Sequence, residues 1–163
     1  MKSLLKKSLI VGALTLAAGS ALADWNTGAS YTNLGFDDPD LSLGVVTANA
    51  GYTFDNIYSD WSVMPEIRLG TGVKGDEVSG FDIDVESFLV LATRFSYQAT
   101  DATSFYIQPA YANLKIDGAE DGEWEFGVGV GSSFAINQDW DLEVMYEKYD
   151  DADLISFGTR YFF

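Results

Sequence analysis

The sequence predicts an all-β fold, an eight-stranded antiparallel up-and-down β-barrel that spans a membrane. Apolar and polar residues alternate in eight segments, and clusters of Gly, Asp and Asn separate these segments. Most segments reach the roughly 9–11 residues that a tilted strand needs to cross a bilayer. The even number of strands returns both ends of the chain to one side of the barrel, as bacterial barrels require.

The sixth predicted strand gives the clearest pattern. Phe126 and Val128 point to one face, while Gly127, Gly129 and Gly131 point to the other. An inner face made of glycine leaves room in a small barrel for larger side chains from neighbouring strands. The eight predicted strands are residues 25–34, 41–54, 61–73, 81–97, 105–116, 123–136, 140–149 and 153–163.

Two prolines interrupt this scheme. Pro65 and Pro109 fall inside the third and fifth strands, and a closed barrel has no edge strand where a missing N–H would do no harm. We therefore expect a local β-bulge at each proline. The frame of the fifth strand is ambiguous: pointing Asn113 and Lys115 inward would place Gln108 against lipid.

Composition limits the function. The chain has 25 acidic and 9 basic residues, so an acidic protein with no basic patch is not expected to bind nucleic acid. The sequence contains no His, the general base of many barrel hydrolases, and we predict no enzymatic activity, no cofactor and no metal site. Paired carboxylates at Asp82, Asp84 and Glu86 leave a hydrolase conceivable, but the favoured interpretation is a polar lumen lining.

Acidic links are predicted at the end of the barrel away from the termini. A Ca²⁺ site there is an alternative to a solvated acidic rim, because clustered carboxylates supply hard oxygen ligands. The rim is favoured, since no glycine-spaced calcium loop is present. The residues concerned are Asp37, Asp38, Asp40, Asp150, Asp151 and Asp153.

Residues 1–23 are typical of a secretory signal peptide. Lys2, Lys6 and Lys7 precede a short apolar run at residues 9–18, and Ala21 and Ala23 form an A-x-A cleavage site. We expect Asp24 to begin a single β-barrel domain of residues 24–163.

Aromatic residues are predicted to form a girdle at the barrel end that holds both termini. They lie at the strand ends beside the links 55–60, 98–104 and 137–139, at the level where aromatic rings favour the membrane interface. The girdle consists of Trp25, Tyr52, Phe54, Trp61, Tyr97, Phe134, Trp140, Tyr161 and Phe163.

Inward charges should pair, because a buried charge needs a partner and an eight-stranded barrel has only enough room for its side chains. Counting residues outward from each predicted hairpin turn places Arg68 near Asp84 or Glu86, and Arg160 near Glu143. It also places Lys115 near Glu123 or Glu125. The predicted salt-bridge network is Glu66, Arg68, Asp84, Glu86, Arg94, Lys115, Glu123, Glu125, Glu143 and Arg160.

The last predicted strand follows the pattern polar-x-Gly-x-x-aromatic-x-aromatic at Ser156, Gly158, Tyr161 and Phe163. This pattern resembles the C-terminal signal of small outer-membrane barrels of the OmpA/OmpX-like superfamily, with the barrel alone and no peptidoglycan-binding domain. The resemblance implies export through the periplasm, recognition by the barrel assembly machinery, and residence in a Gram-negative outer membrane. Its implied surroundings are outer-membrane lipid and lipopolysaccharide, with the barrel as a monomer. A terminal strand of a soluble β-sandwich is the alternative.

The predicted function is structural. We expect an integral outer-membrane barrel with a plugged, charge-lined lumen, an envelope-integrity role and at most a small cation-favouring conductance. One alternative is a binding protein whose acidic extracellular rim meets cations or a basic partner. Another is a soluble lipocalin-like barrel that binds a small ligand, which the charged and glycine-bearing inner face disfavours.

Overall fold

The structure, a computed structural model, describes residues 25–37, 40–78, 81–116 and 122–163. The predicted cleavage residues Ala21, Ala23 and Asp24 lie outside the described residues. No helix in the described ranges is long and apolar enough to cross a membrane. The strands are β1 (Trp25–Asp37), β2 (Asp40–Tyr52), β3 (Phe54–Tyr58), β4 (Trp61–Lys74), β5 (Asp76–Val78), β6 (Phe81–Ile83), β7 (Val85–Thr100), β8 (Thr103–Ile116), β9 (Trp124–Ala135), β10 (Trp140–Lys148) and β11 (Ala152–Phe162).

Eight long antiparallel strands close into a barrel, which confirms the predicted fold class. The order around the wall is β1, β2, β4, β7, β8, β9, β10 and β11. The last strand pairs with the first, with Arg160 opposite Gly28, and the Phe163 N–H donates to the Trp25 carbonyl at 3.0 Å. We call the end of the barrel that holds Trp25 and Phe163 the terminal end, and the opposite end the loop end.

Short strands extend two hairpins beyond the barrel. At the terminal end, β3 pairs with β4; at the loop end, β5 and β6 form a separate two-stranded sheet. The predicted strand 81–97 is therefore divided at Asp84. The Asp76 carboxylate fixes the loop-end sheet by accepting the backbone N–H groups of Ser42 and Glu77, at 2.9 and 2.8 Å. These two hydrogen bonds lower the pKa of Asp76 below its ordinary value.

The outer wall and part of the interior show a burial pattern that is the reverse of that in a soluble protein. Apolar side chains such as Leu69, Phe126 and Phe157 stand on the outer wall with 48–60% of their surface exposed. Charged side chains lie in part of the interior, where Arg160 is 1% exposed and Glu147 is fully buried. Water would penalise so large an apolar surface, whereas lipid accepts it, so the wall suits a bilayer.

The prolines do not produce the bulges expected at these positions. Pro65 pairs with Thr93 in unbroken register, and pairing on either side of Pro109 keeps the same offset. Each proline removes a ladder hydrogen bond without inserting an extra residue, so the strand continues. In β8, Gln108 points into the interior and not towards lipid, because this side chain is completely buried.

The glycines on the inner face of β9 make room for large neighbours, as the sequence predicted. A Cβ atom on Gly131 would lie 2.4 Å from Cζ of the Tyr106 ring, and one on Gly127 would lie 2.5 Å from the Tyr149 ring. A Cβ on Gly129 would meet Cγ of a glutamate side chain at 2.8 Å. Large side chains from β8, from β10 and from Tyr149 just after β10 therefore occupy volume that β9 leaves empty.

Aromatic side chains meet across strands at the terminal end. Trp25 packs against Tyr52 with ring centroids 5.3 Å apart, and Tyr161 lies 5.1 Å from both Trp140 and Phe163. Phe54, Trp61, Tyr97 and Phe134 lie at the same end of their strands. All nine residues of the predicted girdle thus share one rim, which is the level of a membrane interface in a spanning barrel.

Candidate functional site

The middle of the barrel interior contains a layer of paired charges, which we call the ionic layer. It holds three arginines and three glutamates, so its formal charges balance. Each arginine contacts two glutamates, which links the layer into one network across the lumen. The ionic layer comprises Glu66, Arg68, Arg94, Glu143, Glu147 and Arg160, with Gln108 and Asn26 as neutral members.

Arg160 joins the most distant parts of the chain. Its Nε donates to Glu143 Oε1 at 2.8 Å, and its Nη1 donates to Asn26 Oδ1 at 2.6 Å. Its Nη2 donates to Glu66, which is almost completely buried. The guanidinium fork thus meets acceptors from three other strands, a geometry that Lys could not reproduce.

Arg68 forms the second centre of the ionic layer. Its two terminal nitrogens donate to both carboxylate oxygens of Glu147, at 2.7 and 2.6 Å. Its Nε lies 3.3 Å from Glu66 Oε1. The Tyr149 hydroxyl also donates to Glu147 at 3.3 Å. This bidentate pair spans the lumen from β4 to β10, two strands that are not neighbours in the wall.

Arg94 completes the ionic layer. Its Nη1 lies 2.5 Å from Glu143 Oε1, and its Nε donates to Gln108 Oε1 at 3.1 Å. The Gln108 amide then donates to Glu66 at 3.1 Å, and the guanidinium carbon stands 3.9 Å above the centre of the Tyr106 ring. A cation–π contact of this kind adds to the ion pairs, because both side chains are buried.

The loop half of the interior is apolar, and we call it the apolar layer. Leu43, Val45 and Val90 at its centre have no exposed surface. These side chains pack against one another in one continuous cluster. The apolar layer consists of Leu34, Leu41, Leu43, Val45, Val85, Phe88, Val90, Ala92, Ala110, Ala112, Tyr149, Ala152 and Leu154.

The terminal half of the interior is open and polar. A cavity of about 120 Å³ lies below the ionic layer, with Ser62, Ser104 and Asp141 in its wall. A further cavity of about 290 Å³ lies at the mouth of the terminal end, beside Asp101 and Asn137. Only about 20 Å³ remains between the side chains of the ionic layer itself. Water therefore has room to reach the ionic layer from one end.

The structure brings five of the ten residues of the predicted network together in the ionic layer. These are Glu66, Arg68, Arg94, Glu143 and Arg160, and Arg160 does contact Glu143. The expected pairing of Arg68 with Asp84 or Glu86 is wrong. The loop-end sheet of β5 and β6 lengthens that hairpin, so Arg68 stands opposite Val90 instead.

The other five predicted members lie at the loop end, outside the ionic layer. Lys115 is paired with Glu86 at 3.5 Å, with both side chains about one-third exposed, and not with Glu123 or Glu125. Asp84, Glu123 and Glu125 are exposed, because the apolar layer lies between them and the ionic layer. Exposed Asp82 and Asp84 also do not line the lumen as interpreted from the sequence.

Sequence reasoning missed Glu147, Gln108 and Asn26 as members of the ionic layer. Glu147 alternates with the outward Tyr146 in β10, but its partner Arg68 comes from a strand that is not adjacent, so counting residues along a hairpin does not reveal the pair. Gln108 was lost because the frame of its strand was ambiguous. The apolar layer was also missed, although the inward positions Leu41, Leu43 and Val45 in β2 already indicated it.

The residues of the predicted C-terminal signal occupy two faces of β11. Ser156 is buried and within 2.8 Å of the Thr32 hydroxyl, and Gly158 lies against β1. Tyr161 and Phe163 join the girdle. Recognition of these residues by the assembly machinery stays a prediction. Within the described residues, no group of three or more acidic side chains is arranged to hold a metal ion.

The fold and the interior define a class of protein: an integral membrane β-barrel with buried ion pairs inside and an apolar outer wall. A family model for the outer membrane protein beta-barrel domain matches residues 8–160, so the chain belongs to this family. Membership places the protein in the Gram-negative outer membrane and rules out the soluble sandwich and lipocalin-like alternatives. No curated protein sequence matches the chain.

Solved structures share the fold at low sequence identity. A de novo designed transmembrane β-barrel is 12% identical with a TM-score of 0.59, and the alignment covers 87% of this chain and 97% of the design. The attachment invasion locus protein Ail of Yersinia pestis, in complex with the heparin analogue sucrose octasulfate, is 19% identical with a TM-score of 0.54. That alignment covers 86% of this chain and 97% of Ail. At these identities the likeness concerns the fold alone.

Proposed function

We propose that the protein is a structural barrel of the outer membrane whose interior is sealed against ion flow. It contributes to envelope integrity and carries no catalytic role. Outer-membrane lipid and lipopolysaccharide surround its wall as a monomer, and the barrel assembly machinery inserts it. The terminal end, which holds both ends of the barrel chain and the polar cavities, faces the periplasm.

The apolar layer is the observation that carries this proposal. An ion that entered from the periplasm would reach the ionic layer, where every guanidinium already contacts carboxylates, and would then meet tightly packed Leu43, Val45 and Val90. Moving a bare charge through such packing is very costly. The small cation leak suggested by the acidic composition is therefore not part of the proposal, since the ionic layer is neutral overall.

Single cysteines test the seal, because the chain contains no Cys of its own. Ser104→Cys places a thiol in the wall of the terminal cavity, and Asp150→Cys places one in an exposed loop-end turn. In oriented vesicles, a membrane-impermeant thiol reagent should label Ser104→Cys only from the terminal side and Asp150→Cys only from the loop side. Labelling of Ser104→Cys from both sides would mean that the lumen is open.

Planar-bilayer recording gives a second measurement on the same barrel. The wild-type protein should show no steady current steps in salt solution. A matched pair of triple variants then locates the seal: Val45→Ser, Val90→Ser and Leu154→Ser change the interior, and Val46→Ser, Leu91→Ser and Ile155→Ser change the neighbouring outward positions. If the wild type conducts ions and neither triple variant changes that conductance, the seal does not lie in the apolar layer.

The acidic loop end supports a second candidate function, the binding of a basic partner. Seven carboxylate side chains are exposed there within the described residues. The negative electrostatic field of these carboxylates attracts cationic molecules, and it weakens as salt screens it. Polylysine is a suitable probe, and the neutralised variant Asp150→Asn with Asp151→Asn should bind it less tightly at low salt. The exposed residues are Glu77, Asp82, Asp84, Glu123, Glu125, Asp150 and Asp151.

A further inference from the structure

The outer wall of the barrel carries a groove, which we call the lateral groove, with a volume of about 630 Å³. Its floor is made by Pro65, Thr93 and Pro109, which stand side by side on β4, β7 and β8. These side chains are short, whereas most outward positions above and below them carry large apolar groups. Ala50 on β2 extends the floor to one side. The depression is thus a direct result of four short side chains at one level.

Large side chains form the rims of the lateral groove. Towards the terminal end, Trp25 and Tyr52 meet edge to face, with ring centroids 5.3 Å apart. Towards the loop end, Tyr111 and Phe126 meet with ring centroids 5.2 Å apart. The groove therefore begins at the aromatic girdle and runs along the wall towards the middle of the barrel. Its volume falls in the range of about 300–1,000 Å³ typical of sites for small molecules.

The surroundings of the lateral groove identify what fills it. The groove starts at the girdle of an outer-membrane barrel, so it opens into the hydrocarbon of the leaflet on the terminal side. Its polar side chains are few: the carboxylate of Glu66, which also borders the cavity, points into the interior. A second barrel would offer a convex wall, which does not fill a depression. A flexible hydrocarbon chain does.

We propose that the lateral groove binds one acyl chain of a phospholipid from the leaflet on the terminal side, and holds it longer than the other lipids around the barrel. The chain is retained by dispersion contacts and not by hydrophobic transfer, because lipid tails are already in an apolar medium. A concave wall contacts more of a chain than a convex wall does, and a void over the floor would lose those contacts altogether. The proline side chains on the floor have almost no rotamer freedom, so little conformational entropy is lost there when the chain binds.

Two matched threonines provide the test. Thr93 lies on the groove floor, while Thr159 lies on the outer face of β11, on a part of the wall that the groove does not include. Both are partly exposed. Thr93→Phe should fill the groove, and Thr159→Phe should leave it unchanged. Ala50→Phe is a second filling variant in case Thr93→Phe does not fold, and heat-modifiable gel migration checks folding of all three.

The measurement is native mass spectrometry of barrels extracted from vesicles of phosphatidylethanolamine with added lipopolysaccharide. We expect one retained phospholipid on the wild type and on Thr159→Phe. Retention should fall by about tenfold in Thr93→Phe or Ala50→Phe, which corresponds to about 1.4 kcal/mol of lost binding. Equal retention in all variants, or no retained phospholipid, would overturn the proposal. Retained lipopolysaccharide, or a dimer that the filling variants abolish, would overturn it as well by showing a different occupant.

Discussion

The two layers of the interior are built by the same strands with opposite chemistry. In β7, Val90 belongs to the apolar layer and Arg94 to the ionic layer; in β11, Leu154 and Arg160 divide in the same way. The ionic layer is held by directed bonds between specific partners, and the apolar layer is held by shape and volume. The comparison shows that equally buried positions differ in how well they tolerate a substitution. Loss of one group leaves buried charges with too few partners in the ionic layer and only a void in the apolar layer.

The largest expected effect comes from removing one charge from the ionic layer. Arg160→Met leaves Glu66 and Glu143 buried with less compensation, and we expect a loss of about 3–5 kcal/mol in the free energy of unfolding. Denaturant titration of the barrel in lipid vesicles measures it. Lys148→Met is the control: it removes a cation from the exposed pair with Asp153, whose N–O distance is 2.8 Å, and should cost about 0–1 kcal/mol. Similar losses in both variants would remove the distinction between a buried network and a rim pair.

A steric change within the ionic layer should have a smaller effect. In Gly131→Ala the new methyl group would lie 2.4 Å from the Tyr106 ring and 2.6 Å from the Val144 carbonyl oxygen. Displacing the ring also disturbs its contact with Arg94, and we expect a loss of about 1–3 kcal/mol. Gly35→Ala is the matched control, because its new methyl group would have no neighbour closer than 3.7 Å. The comparison fails if the two alanine variants unfold at the same denaturant concentration.

The apolar layer can be probed with two adjacent valines. Val45 is completely buried in the interior, and Val46 is 37% exposed on the outer wall. Val45→Ala leaves a void and should cost about 1–2 kcal/mol, whereas lipid can fill the space left by Val46→Ala. Equilibrium unfolding of both variants in one lipid gives the difference. A larger loss for Val46→Ala would show that packing inside the loop half does not stabilise the barrel.

The loop-end sheet lies outside both layers and should give the smallest effect. The pKa of Asp76 is lower in the folded protein than in the unfolded chain, because its carboxylate accepts two backbone N–H groups. Its contribution is therefore complete above the ordinary carboxyl pKa of about 3.9 and is lost as the pH falls through the folded value. Amide hydrogen exchange at Ser42 should quicken in that acidic range. In Asp76→Asn this pH dependence should disappear, while the ionic layer stays intact.

The fold could be predicted from the sequence because it depends on local alternation. Glycines and aromatics in residues 124–135 already showed which face is inside, and the girdle followed from strand ends such as Trp61 and Tyr97. The partners in the ionic layer could not be predicted in the same way. Arg68 and Glu147 are 79 residues apart on strands that meet only across the lumen, where register between neighbours gives no information. The extra sheet of β5 and β6 also shifted the one hairpin on which the pairing of Arg68 was based.

The position of Arg160 on β11 has a consequence for the order of assembly. Its acceptors Asn26 and Glu66 lie 134 and 94 residues earlier in the chain. A sheet that contained every strand except β11 would hold Glu66 and Glu143 without this guanidinium, so their carboxylates would stay hydrated and the sheet would stay open to water. Neutralisation and closure are therefore the same event. Because these contacts join β11 to strands from the first half of the chain, the ionic layer is complete only when β11 has paired with β1 and the barrel is closed.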